Sequence, residues 1–372
     1  MKKEKLVIIG ANDFQYQLIQ KAKNRGMETH VFAWEDGSVG KQAADYFYPI
    51  SITEKELILE KCKEIKPDGI LSIASDLAVT TVNYVAQQLN LTGNGTESAL
   101  LSTNKYLMRK TFEKNGDPSP RYCLSDTLTE SMINTFHLPL IVKPIDRSGS
   151  RGVTRIADWT NIYHAIKAAQ QQSFSGQAII EEYISGKEYS VEYISWEGQH
   201  TFLALTQKYT TGEPHYIETR HTQPANVSAH ILRRIQEVIE HALNSLLIKN
   251  GASHSEVMVT PDGSIKIVEI GARMGGDCIG SDLVQISTGY DFINMVIDVA
   301  CGRSPSFHKV CHPQKAEVRF IFNDQDLKQL QIIKAERPEC LYRISKIHSI
   351  DSNHKITDSS KRLGYYILQG YN

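Results

Sequence analysis

An α/β fold is predicted by two patterns in the 372-residue chain. Short apolar runs alternate with amphipathic helical stretches near the N-terminus, and farther along strand-like runs are joined by glycine-bearing turns. Hydrophobic residues make up 41% and charged residues 22%, a balance that supports packed cores and argues against extended disorder. A chain of this length supports roughly two or three domains. The 41 Lys and Arg are matched by 42 Asp and Glu, so no global field attracts a polyanion and nucleic-acid binding is not expected.

The N-terminal region reads as βαβ units on a parallel sheet. "KLVIIG" is a strand, "FQYQLIQKAKNRG" a helix and "ETHVFAW" a second strand; "GILSIAS" then leads into the helical "DLAVTTVNYVAQQLN". This places a small α/β domain over residues 1–97. Gly10 stands at a strand-to-helix turn, but "GANDFQ" lacks the three glycines of a dinucleotide-binding loop, so a packing turn or a substrate-facing loop is expected. Ser75-Asp76 begins a helical pattern and suits a helix cap. The apolar run of "MKKEKLVIIG" ends too early for a secretion signal, and no stretch reaches transmembrane length, so a cytoplasmic protein without membrane contact is expected. The six cysteines contain no CxxC pair and read as reduced thiols.

Farther along, "TESALLSTNKYLMRKTFEKNG" has apolar residues at helical spacing, and the stretch Gly116 to Pro120 ends it. Lys105 lies in that helix and, taken alone, reads as a surface lysine. "LPLIVKP" is a strand that delivers Lys143 to the loop "IDRSGSRGV". A lysine entering a loop with Ser148, Gly149, Ser150 and Gly152 can meet phosphate charge while backbone N–H groups cradle its oxygens; an ordinary β-turn fits the same letters. "NIYHAIKAAQQQS" is helical. "QAIIEEYISGKEYSVEYIS" gives two strands separated at Gly186, with Glu188, Ser190 and Glu192 on one face of the second. "HILRRIQEVIEHALNSLLIKNG" is a helix with Ile231, Ile235, Ile239 and Leu243 on its buried stripe and Gly251 as its terminator; His241 on it reads as a packing or surface residue.

The most informative stretch is "HSEVMVTPDGSIKIVEIG". Asp262-Gly263 suits a two-residue hairpin turn. That register pairs Pro261 with Ser264, Thr260 with Ile265, Met258 with Ile267 and Glu256 with Glu269, with Met258, Ile265 and Ile267 sharing the glutamates' face. Cβ atoms of directly paired residues lie about 4.5–5.5 Å apart, so two ionised carboxylates there call for a proton or a cation. Mg²⁺ takes oxygen ligands and accepts phosphate oxygens to complete its shell. An exposed hairpin with diverging glutamates is the alternative. Arg273 follows closely and suits either neutralisation of Glu269 or stabilisation of a transferring phosphoryl group.

The ordered set Lys105, Lys143 with "RSGSRG", "EEYISGKE", Glu256 and "EIGARMGG" resembles the ATP-grasp superfamily, specifically its ATP-dependent carboxylate–amine ligases such as L-amino-acid ligases. The resemblance implies an N-terminal Rossmann-like (pre-ATP-grasp) domain over 1–97, an ATP-grasp region over 98–310 and a C-terminal segment, 311–372, that completes its core. It further implies ATP and Mg²⁺ as cofactors. Lys105, Lys143, Ser148, Gly149, Ser150 and Gly152 would meet the phosphates, Glu182, Tyr183 and Ile184 the adenine, and Glu188 the ribose. Glu256 and Glu269 would hold the metal, while Arg273 would steady the activated carboxylate. Many members of that superfamily carry an asparagine two positions after the second metal-binding glutamate. Here Gly271 stands there and offers no side-chain oxygen.

The implied reaction joins a small carboxylate, such as an amino acid, to an amine through an acyl phosphate, with Asp76, His215, Arg220, His221 and Arg273 as substrate contacts and a homo-oligomer as the assembly. A purine-pathway or bicarbonate-activating enzyme, and a non-catalytic nucleotide-binding regulator, remain alternatives.

Overall fold

Three β-sheets organise the computed structural model, which describes residues 3–127, 135–213, 216–349 and 359–371. The first sheet contains β1 (Lys5–Ile9), β2 (Glu28–Phe32), β3 (Tyr46–Tyr48) and β4 (Gly69–Leu71), all parallel, in the order β3-β2-β1-β4. Alternation along β1 explains its unbroken apolar run: Leu6 and Ile8 enter one core, Val7 and Ile9 the other, so both faces are covered. Asn12 caps the helix Asp13–Asn24 by accepting from Phe14 N at 3.0 Å. Ser75 caps the helix Asp76–Gln88, leaving Asp76 in its first turn.

The stretch expected as one helix around Lys105 forms two, Gly95–Thr103 and Lys105–Asn115. Asn104 is extended, and its side chain accepts from Leu107 N at 3.0 Å, which starts a new helix at Lys105. Gly116, in the left-handed region, ends it.

The second sheet is antiparallel, ordered β5-β8-β6-β7 from β5 (Tyr122–Leu124), β6 (Leu140–Pro144), β7 (Thr154–Ile156) and β8 (Ala178–Glu182). The helix Ile162–Gln172 buries Ile162, Ala165, Ile166 and Ala169 on it. The third sheet has eight antiparallel strands: β9 (Lys187–Trp196), β10 (Gln199–Thr210), β11 (Glu218–Gln223), β12 (Gly251–Val259), β13 (Ile265–Gly271), β14 (Ala316–Ile321), β15 (Leu341–Ile344) and β16 (Gly364–Gln369). Their order is β13-β12-β9-β10-β11-β14-β16-β15. The helix Ala229–Ser245 packs Ile235, Ile239 and Leu243 against β9, β12 and β13. It stops at Ser245, and Gly251 instead opens β12, so that expected terminator is corrected.

The β12–β13 hairpin keeps the expected Glu256–Glu269 pair but reaches it by another register. Thr260 N donates to Ser264 O and Gly263 N to Thr260 O, giving a three-residue turn in which Val259 pairs with Ile265 and Val257 with Ile267. A bulge at Val268 then restores the offset, and Glu256 faces Glu269. It also reverses the alternation, so Ile265 and Ile267 lie in the core with Val257, on the face away from Glu269. The expectation that those isoleucines share the glutamates' face is therefore corrected.

No helix among the described residues is long and apolar enough to cross a membrane.

Candidate active site

A cleft of about 540 Å³ lies where the second and third sheets meet. It brings together Lys105, Lys143, Ser148, Gly149, Ser150, Glu182, Tyr183, Ile184, Glu188, Glu256, Glu269, Arg273 and Asp76. These residues come from positions 76 to 273, so the convergence belongs to the tertiary fold. Gly152 does not line the cleft; it holds the loop against Pro144 and Gln172 with φ +71°.

Both lysines are buried, each at 5% exposure, which overturns the surface reading of Lys105. Lys105 starts its helix, so its side chain reaches back into the cleft, where Nζ lies 2.9 Å from Glu269 Oε1 and donates to the Arg147 carbonyl at 2.7 Å. Lys143 Nζ lies 2.8 Å from Glu181 Oε2, and Arg109 Nε lies 2.9 Å from the other oxygen. Burial pushes the Lys143 ammonium down, only partly opposed by Glu181. Burial pushes Glu181 the other way, but Arg109 and Lys143 outweigh it and hold the carboxyl below its ordinary value.

Sequence reasoning missed Lys208 on β10. Its Nζ lies 2.5 Å from Glu188, 2.6 Å from Glu256 and 3.8 Å from Glu218. Burial disfavours its charge, but the three carboxylates more than compensate and hold the ammonium well above its usual range. Burial raises Glu188, whereas Lys208 and His254 overcome the same effect at Glu256 and hold it well below the carboxylate range. His254 was missed as well. It pairs through Nδ1 with buried Glu192, and its Nε2 lies 3.6 Å from Glu256. Although burial lowers His254, those carboxylates raise it to about 9. The signal was present in "HSE": residues two apart on a strand share a face.

Arg273 is gripped by Asp76 through two contacts of 2.8 Å, from Nε to Oδ1 and from Nη2 to Oδ2. Burial opposes both charges, yet the pairing lowers Asp76 and raises Arg273. Gly271 adjoins this pair: a Cβ there would stand 2.8 Å from Asp76 Oδ1 and 3.3 Å from Arg273 Nε. The glycine leaves room for a carboxylate supplied by the N-terminal sheet's helix.

The remaining expected substrate contacts separate. His221 is buried beside the cleft, with Nε2 3.7 Å from Asp277; Arg362 bridges Asp277 at 2.8 Å and Glu218 at 3.0 Å. Arg220 pairs with Tyr209 in the ladder, while its neighbour His221 pairs with Lys208. Alternation therefore puts Arg220 on the sheet face opposite Lys208, and its expected place in the acceptor pocket is corrected. His215 lies outside the described residues.

The donor set fits a hard cation only in company. Glu256 and Glu269 present oxygen ligands across one ladder position, but no cluster of three or more acidic, histidine or cysteine groups suited to an ion occurs among the described residues. Phosphate oxygens would have to complete the shell, and the lysine-lined cleft is suited to bring them.

Residues 136–282 match the ATP-grasp domain family. The chain is 30% identical over 250 residues to dapdiamide A synthase of Enterobacter agglomerans, covering 62% of this chain and 58% of that protein. It is 24% identical over 302 residues to alanine–anticapsin ligase of Bacillus subtilis, covering 72% and 63%. The matched part thus spans about three fifths of those curated relatives. The structure of L-amino acid ligase from Bacillus licheniformis superposes with a TM-score of 0.82 at 22% identity, covering 100% of this chain and 95% of that one. That likeness shows a shared fold.

Proposed function

We propose, for a chain that carries an ATP-grasp domain, that it is an ADP-forming ligase joining a small carboxylate, such as an amino acid, to an amine. The observation that carries this reading is the convergence of Lys105, Lys143, Arg273 and the cross-strand Glu256–Glu269 pair in one cleft. The names of the relatives, an alanine–anticapsin ligase among them, support the substrate class. The domain plan that accompanies this reading is a Rossmann-like domain over 1–97, the ATP-grasp region over 98–310 and a completing segment over 311–372.

A carboxylate oxygen attacks the γ-phosphorus of ATP as the bond to the β-phosphate oxygen breaks, releasing ADP and forming an acyl phosphate. The amine nitrogen then attacks the acyl carbon, phosphate leaves, and the nitrogen loses a proton. Lys105 and Lys143 neutralise phosphate charge in a site where burial strengthens each contact. Glu182, Tyr183 and Ile184 lie at the adenine end, with Glu188 at the ribose. Glu256 and Glu269 would hold Mg²⁺, which supplies positive charge to the phosphates. Arg273, fixed by Asp76, orients the reacting carboxylate. The Ser148–Gly152 loop shields the acyl phosphate from water.

A panel of amino acids, assayed together for ADP release and amide formation, tests the reading: amine-dependent ADP release with stoichiometric amide is expected. ATP binding without product across the panel would support a regulatory protein, and phosphate release with bicarbonate a carboxylating one. Glu269→Gln is expected to lower turnover at limiting Mg²⁺ by about 100-fold or more; unchanged turnover there would remove Glu269 from the metal site.

A further inference from the structure

We propose that the sheet face opposite the cleft carries a second binding site, for a small oxyanion bearing two or more negative charges. A separate cavity of about 330 Å³ opens there beneath the helix Asp324–Glu336, within the range of small-molecule sites. Four cationic side chains line it: Arg220 from β11, Arg319 from β14, Lys315 just before β14 and Arg337 at the end of the helix.

Among the described residues, the one acid lining this cavity, Glu317, is already engaged. It is 1% exposed; one oxygen accepts from Arg319 Nε, the other accepts from Tyr371 Oη at 2.8 Å and lies 3.7 Å from Arg220 Nη1. Four cations against one carboxylate leave three positive charges in excess among the described lining residues. The other polar lining groups are amides and hydroxyls such as Gln329 and Thr222, which also donate.

Two of these cations lie over aromatic faces. The Arg220 guanidinium lies 4.0 Å from the Tyr209 ring centroid, and Lys315 Nζ lies 4.4 Å from that of Tyr371. A guanidinium stacked this way keeps its in-plane N–H groups directed outward, the geometry that recognises carboxylate and phosphate oxygens. The ligand this lining selects is rich in acceptors and negatively charged. A polycarboxylate and a phosphate group share that chemistry.

Gln207 and Tyr209 border both this cavity and the cleft, but the charged groups divide by strand alternation: Arg220 lines this cavity, whereas Lys208, paired with its neighbour His221, lines the cleft.

Calorimetric titration with citrate and, separately, inorganic phosphate at constant ionic strength tests the proposal. Three proteins are compared: wild type, the double variant Lys315→Glu/Arg337→Glu, and the cleft variant Lys143→Ala. Lys315 and Arg337 are exposed, so the double variant should fold; thermal melting checks this, and Arg220→Gln serves as the second variant. Binding of at least one probe to wild type is expected, weakened about tenfold or more by the double variant and by Arg220→Gln, and unchanged by Lys143→Ala. The probe that binds tells a polycarboxylate from a phosphate ligand. No binding of either probe up to millimolar concentration, or loss on Lys143→Ala with retention in the far-face variants, would overturn the proposal.

Discussion

Gly271 shows how one residue's meaning depends on a distant partner. Asp76 occupies the space next to its Cα and holds Arg273, so any side chain at 271 must displace that pair. Gly271→Asn is expected to lower kcat/KM by about 100-fold, the scale of an ångström-sized misplacement of a reacting group. Adding it to Asp76→Ala should cost far less than the two separate losses combined; additive losses would show that the clash is irrelevant. His254 supplies a second residue-scale expectation. Its folded value of about 9 exceeds the ordinary value of 6.5, so its contribution to stability is complete below pH 6.5 and is lost as pH rises through 9. Wild type should lose on the order of 2–3 kcal/mol across that window in urea titrations. His254→Gln should lack this step, and an equally steep loss in the variant would assign it to another group.

Among elements, the β12–β13 hairpin was legible in outcome and illegible in construction. Two departures from the expected ladder, a longer turn and a bulge at Val268, cancel by the time the chain reaches Glu269. The bulge is held from outside the hairpin: Ile267 N donates to Pro118 O at 2.8 Å, and Arg109 Nη2 donates to Val268 O at 2.5 Å. No local pattern around Asp262-Gly263 encodes partners that far away in sequence. The Ser148–Gly152 loop is a contrasting case, because its glycines announce themselves. Gly152 has φ +71°, and a Cβ there would meet Pro144 Cγ at 3.0 Å. Gly152→Val should therefore strain the loop and raise the KM for ATP about tenfold with little change in melting temperature; an unchanged KM would separate the loop from nucleotide binding.

Across the whole molecule, the N-terminal sheet and the eight-stranded sheet share a core. One apolar cluster joins Leu6, Ile8 and Leu71 to Ile194, Ala252 and Val296, and a Cβ at Gly69 would stand 2.8 Å from the Ala300 carbonyl oxygen. Ala74 N donates to Met274 O at 3.2 Å, directly beside Arg273. A fragment of residues 98–372 would expose that apolar face and lose Asp76. It is expected to aggregate on size-exclusion chromatography, whereas a monodisperse fragment with wild-type turnover would show that the shared core is dispensable.

The amino-acid sequence by itself determined the alternation of strands and helices, the cap at Ser75, the two lysines, the paired glutamates and the loop glycines. Those features depend on neighbours within a few residues, through side-chain periodicity and turn chemistry. The tertiary structure alone decided that Lys105 is buried, that Lys208 and His254 join the glutamates, that Asp76 rather than residue 271 fills the space beside Arg273, and that Arg220 faces away. Each of these depends on which strands become neighbours and on whether a bulge reverses a face, and a buried charge draws its partners from wherever in the chain they are brought within reach.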